Sequence, residues 1–82
     1  MRLNLTLMGS LRDKMPAGGT FELPADSTLQ DLLNQLEIAA YEVQTISING
    51  RFEHDYQHIL MDDDMIAILP ITIGHSAAIK NT

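Results

Sequence analysis

No cysteine occurs in the 82 residues, which excludes a disulfide framework, a thiol nucleophile and a thiolate metal site. Basic residues are scarce too: five Lys and Arg stand against eleven Asp and Glu, for a net charge of −6. Nucleic-acid phosphates would be repelled by that balance. It favours a positively charged protein surface as partner, and it also serves plain solubility. No apolar run is long enough for a signal peptide or a membrane span, so a soluble, cytoplasmic protein without membrane contact is expected. A Ser-His-Asp order, paired carboxylates in an evident cleft and a cofactor fingerprint are all missing. The expectation is a protein with no catalytic residues and no cofactor of its own.

What is there is one domain's worth of alternating pattern. A chain this short buries roughly 60% of its extended surface, so its core must be compact. Leu3, Leu5 and Leu7 alternate with Asn4, Thr6 and Met8, the period of a half-buried strand. Gly9-Ser10 ends it, and Leu11 to Gly19 reads as a loop by composition. Thr20 to Leu23 alternates again, giving an antiparallel partner for the first strand. Ser27 with Gln30, or Thr28 with Asp31, is spaced as a capping box, and Leu29, Leu32, Leu33 and Leu36 then form one apolar stripe, the mark of a helix. A weaker signal marks a helical turn over Ala39 to Glu42. Ile46 and Ile48 belong to a third strand; Asn49-Gly50 is the strongest hairpin signal, and Arg51-Phe52-Glu53 would be the fourth. After an irregular polar stretch, Asp62-Asp63-Asp64 delivers the chain into Met65-Ile66-Ala67-Ile68-Leu69, five apolar residues closed by Pro70, which reads as a buried central strand.

Strands that do not strictly alternate with helices predict an α+β fold, one mixed sheet of four to five strands with a single main helix packed across it. The expected core joins the leucine stripe to Leu3, Leu5, Leu7, Phe21, Leu23, Ile46, Ile48, Ile66 and Ile68. Met8, Leu69, Ile71 and Ile73 fall on the opposite face and read as a docking surface continuous with the C-terminal tail. His54 and His58, near Glu53 and Asp55, are metal-ligand types without a third or fourth ligand at fixed spacing, so no metal site is expected. Asp62 to Asp64 lacks the glycine and spacing of a calcium loop and reads as a solvated turn. Gly18-Gly19 falls short of a phosphate-binding loop.

Gly9-Ser10-Leu11-Arg12, Leu23-Pro24, Thr28-Leu29, Ile48-Asn49-Gly50-Arg51 and the run from Asp62 to Pro70, in this order, resemble the MoaD/ThiS sulfur-carrier family. The similarity spans Met1 to Gly74, and the Gly-Ser-Leu-Arg segment with its longer first loop is most similar to the small subunit of molybdopterin synthase. The resemblance implies a ubiquitin-like β-grasp fold over residues 1–74, with 75–82 as an extension expected to be disordered. It implies a carrier with no active site: an adenylyltransferase joins AMP to a terminal glycine carboxylate, sulfur replaces AMP to give a thiocarboxylate, and a second, molybdopterin-synthase-like large subunit accepts the sulfur. On this sequence Gly74 would be the attachment residue, provided a hydrolase removes residues 75–82. Met8, Arg12, Leu69, Pro70, Ile71, Thr72 and Ile73 would meet the partners. The family pattern ends in Gly-Gly, whereas this chain has Gly74-His75 and then Ser76 to Thr82. An alternative therefore stands beside the carrier: a β-grasp interaction module that keeps the docking face without the terminal chemistry.

Overall fold

The computed structural model describes residues 1–71. Strands β1 (Arg2–Leu7), β2 (Thr20–Glu22), β3 (Val43–Ile48), β4 (Arg51–Phe52) and β5 (Met65–Pro70) form one five-stranded mixed sheet in the order β2-β1-β5-β3-β4, crossed by helix α1 (Leu29–Leu36). This is the expected β-grasp. β5 lies at the centre, parallel to β1 through Leu5↔Ile66 and Leu7↔Ile68, and antiparallel to β3 through Ile46↔Ile68 and Ile48↔Ile66. Parallel neighbours need a long crossover, and the whole β2–α1–β3–β4 segment supplies it.

Of the two N-caps offered by the sequence, Thr28 is used. Its hydroxyl accepts from the Asp31 N–H (3.2 Å) while the Asp31 carboxylate accepts from the Thr28 N–H (2.9 Å). The Ser27 hydroxyl is already committed to the Pro24 carbonyl at 2.7 Å. At the other end Glu37 takes a left-handed φ of 59°, and the Ile38 N–H reaches back to the Leu33 carbonyl at 2.9 Å. Burial of Ile38 and a 2.6 Å bond from Lys14 Nζ to the Glu37 carbonyl hold a turn that glycine would have adopted more cheaply.

Leu29, Leu32, Leu33 and Leu36 pack onto Leu3, Leu5, Leu7, Leu23, Ile46, Ile48, Ile66 and Ile68 as expected, and burying each such side chain contributes on the order of 1.5–3 kcal/mol before entropy is subtracted. The core is larger than the periodicity indicates, since it also takes in Leu11, Ile38, Val43 and Leu60. Leu11 is buried because Gly9–Lys14 is a 3-10 helical turn folded under the sheet end, where composition predicts only a loop. Phe21, expected in the core, is only half-buried, because β2 is a three-residue edge strand with no cover on its outer side. β5 is central yet not buried on both faces: its burial alternates, since one helix covers one face of the sheet.

The acidic turn before β5 is more than a solvated link. Asp64 is buried, accepting from the Asn49 side-chain amide (2.8 Å) and the Met61 N–H (2.8 Å), while Asn49 Oδ1 accepts from the Met65 N–H (2.9 Å). Asn49 and Gly50 take φ of 54° and 84°, the pair of positive values a type I′ hairpin requires. One asparagine therefore both makes the β3–β4 turn and fixes where β5 begins.

Candidate functional site

Along β5 the side chains divide by parity. Ile66 and Ile68 enter the core; Met65, Ala67 and Leu69 face away from α1. Register places Thr6 and Ser47 on either side of Ala67, with Phe52 beyond Ser47, and puts Asn4 beside Met65 and Thr45 beside Leu69. The middle of this open face carries no charge. Its large apolar members are exposed: Met65 at 62%, Leu69 at 39%, Met8 at 37% and Phe52 at 73%. Between them the small side chains of Thr6, Ser47 and Ala67, with Gly50, floor a shallow depression of about 190 Å³. Apolar anchors around a small-residue floor, without formal charge to desolvate, make a surface suited to protein docking.

The expected docking residues separate on inspection. Met8 and Leu69 are exposed and neighbouring, because the Met8 N–H donates to the Ile68 carbonyl at 3.1 Å and so extends β1 alongside the end of β5. Arg12 is exposed on the adjoining 3-10 turn. Ile71 is half-buried, its N–H held by the Glu42 carbonyl at 2.8 Å. Pro70, by contrast, is buried and offers no open surface of its own. Its ring packs on Gly9, where a Cβ would lie 3.0 Å from Pro70 Cγ. Thr72, Ile73, Gly74 and the extension 75–82 lie outside the described residues.

Sequence reasoning misses Met65 and Phe52 as docking candidates. Met65 is legible in principle, since it has the parity of Leu69 on the same strand. Phe52 requires the hairpin register, which places it opposite Ser47.

The histidines stand apart from this face. His58 Nδ1 lies 3.3 Å from Glu53 Oε1 beside Ile48, Asn49, Arg51, Met61 and Asp64, and His54 lines a second cleft with Val43, Gln44, Ile46, Glu53 and Tyr56. Among the described residues no group of three His, Asp or Glu side chains is placed to hold a metal ion. No described helix is long and apolar enough to cross a membrane.

Comparisons with known proteins agree with this architecture. The sequence model of the ThiS family matches residues 5–74. No curated protein sequence gives a significant match. Among solved structures, SAMP1 from Haloferax volcanii superposes with a TM-score of 0.66 at 16% identity, covering 87% of this chain and 96% of its own. A Pyrococcus furiosus protein assigned as subunit 1 of molybdopterin converting factor gives 0.68 at 16% identity, covering 85% and 97%. A chain from the complex of subunits 1 and 2 of the Helicobacter pylori molybdopterin-converting factor gives 0.58 at 21% identity, covering 87% and 95%. At these identities the superpositions establish the β-grasp fold.

Proposed function

Because this chain belongs to the ThiS family of small β-grasp proteins, we propose that it is a sulfur carrier of the molybdopterin-synthase small-subunit type, a co-substrate without a catalytic site. The observation that carries the reading is the uncharged open face running from Met65 to Leu69 and Met8, directly beside the point where β5 releases the C-terminal segment at Ile71. A carrier needs both parts: a body that docks and a thin end that reaches a reaction centre elsewhere.

In this proposal the carboxylate end of the chain attacks the α-phosphate of ATP in a partner adenylyltransferase, pyrophosphate leaves, and an acyl-adenylate forms. A sulfide-level donor such as hydrosulfide then attacks the acyl carbon, AMP leaves, and a thiocarboxylate results. The sulfur acceptor would be a large subunit of the molybdopterin-synthase kind, a partner suggested by the Helicobacter pylori complex of subunits 1 and 2. Docking and orientation supply the rate enhancement available to a carrier, since they convert an encounter into a positioned reaction. Gly74 would bear the thiocarboxylate after a hydrolase removes the residues that follow it, as its missing side chain suits a narrow channel and a side chain branched at Cβ would not.

The test is intact-mass measurement of full-length protein and of a version ending at Gly74, each incubated with the organism's own adenylyltransferase and ATP. An adduct on the shorter form alone supports processing; an adduct on the uncleaved chain means that cleavage after Gly74 is not required. Gly74-His75 in place of two glycines favours a second reading, the interaction module. Binding of both forms without any adduct would establish it in place of the carrier.

A further inference from the structure

The end of β5 is gripped from both sides, and one of the grips depends on an absent side chain. On the β3 side, Pro70 pairs with Val43, and the next N–H, that of Ile71, is held by the Glu42 carbonyl at 2.8 Å. On the β1 side stands Gly9, with φ of +55°, against the proline ring: a Cβ there would lie 3.0 Å from Cγ and 3.5 Å from Cδ. The shorter distance is tighter than the great majority of real Cβ contacts, so any other residue forces the loop or the ring to give way. The loop has little freedom to retreat. Met8 is bonded to Ile68, the Leu11 N–H donates to the Met8 carbonyl at 3.1 Å, and Leu11 itself is buried in the core.

We propose that Gly9 is a positioning residue for the C-terminal tail: by letting the Pro70 ring seat against its backbone, it sets the direction in which the chain leaves β5 relative to the docked open face. This rests on the carrier reading above. Gly74 lies three residues beyond Ile71, a reach of at most about 10 Å, so the point and direction of exit at Pro70 bound where a carboxylate at Gly74 can lie. A misplacement of about 1 Å at a reacting centre costs on the order of 100-fold in rate. Affinity should be nearly indifferent to the same change, because Met65, Ala67 and Leu69 are untouched and Met8 stays tied to β5 through its N–H bond to the Ile68 carbonyl.

The test is a double-mutant cycle of Gly9→Ala and Pro70→Ala, read as rate of adduct formation with the adenylyltransferase in whichever form of the chain gains the adduct, with Kd for the enzyme measured separately. Gly9→Ala should slow the adduct about 10-fold while Kd stays within about two-fold, and the double variant should return to the rate of Pro70→Ala alone. Backbone strain at a positive φ is present with or without the ring, so a purely conformational cost would persist undiminished beside Pro70→Ala. That persistence, or a wild-type rate in Gly9→Ala, would overturn the inference and leave the carrier intact. Wild-type protein that never gains an adduct overturns both. Should Gly9→Ala fold poorly by circular dichroism, Gly9→Asn, which tolerates the left-handed region better, carries the same cycle.

Discussion

The two faces of β5 differ in what their side chains are for. Ile66 and Ile68 are closed under α1, whereas Met65 and Leu69, one residue away on the same strand, stand open. An ordinary solvent-facing side of a small sheet carries charge, and this protein has eleven acids to place. None of them falls among Asn4, Thr6, Thr45, Ser47, Met65, Ala67 and Leu69, the central positions of the open face. The acids lie in turns, on the helix and at the edges: Glu22 on β2, paired with Arg2 at 3.7 Å, and Glu53, Asp55, Asp62 and Asp63 beyond the strand ends. The contrast teaches that one strand can be specified twice, for packing on one parity and, in the function proposed above, for docking on the other.

Substitutions at adjacent positions should separate the two roles. The largest effect is expected on the closed side, where Ile68→Ala should lower stability by about 3–4 kcal/mol through lost transfer energy and an unfilled cavity, read as a reduced midpoint in urea. Next, Asp64→Ala should lower stability by about 2 kcal/mol, because the Asn49 amide and the Met61 N–H lose their buried acceptor. It should also loosen the start of β5, seen as faster amide exchange at Met65. On the open side, Leu69→Glu should weaken association with the adenylyltransferase by about 1–2 kcal/mol and change the urea midpoint little, by calorimetry and denaturation in parallel. Equal losses of stability and binding there would erase the distinction between the faces. Smallest is Thr28→Ala, which removes half of the capping box and should cost about 1 kcal/mol of stability with binding unchanged.

Much of the fold is legible in the sequence because its signals are local. Leucine spacing on α1, alternation in β1 and β3, and Asn49-Gly50 each report a period or a turn that the backbone enforces nearby. Leu11, Ile38 and Leu60 escape because their burial depends on irregular segments whose path is set by distant partners: Leu60 lies in a polar stretch and its N–H is held by the Ser27 carbonyl at 2.9 Å. Asp64 looks like one of three equivalent acids, and only the arrival of Asn49 distinguishes it. At the candidate site, Met8 and Leu69 are legible by parity, while the contact between Gly9 and Pro70 joins the ends of two parallel strands far apart in the chain, which no local pattern encodes.

The claim that the open face meets the partner is tested most directly by amide NMR of labelled protein titrated with unlabelled adenylyltransferase. The account predicts that shifts and line broadening concentrate on Thr6, Met8, Thr45, Ser47, Met65, Ala67, Leu69 and Ile71, while α1 and the segment from His54 to Leu60 are spared. Perturbation centred on α1 or on the His54–Leu60 segment, with Met65 to Leu69 unmoved, would contradict it.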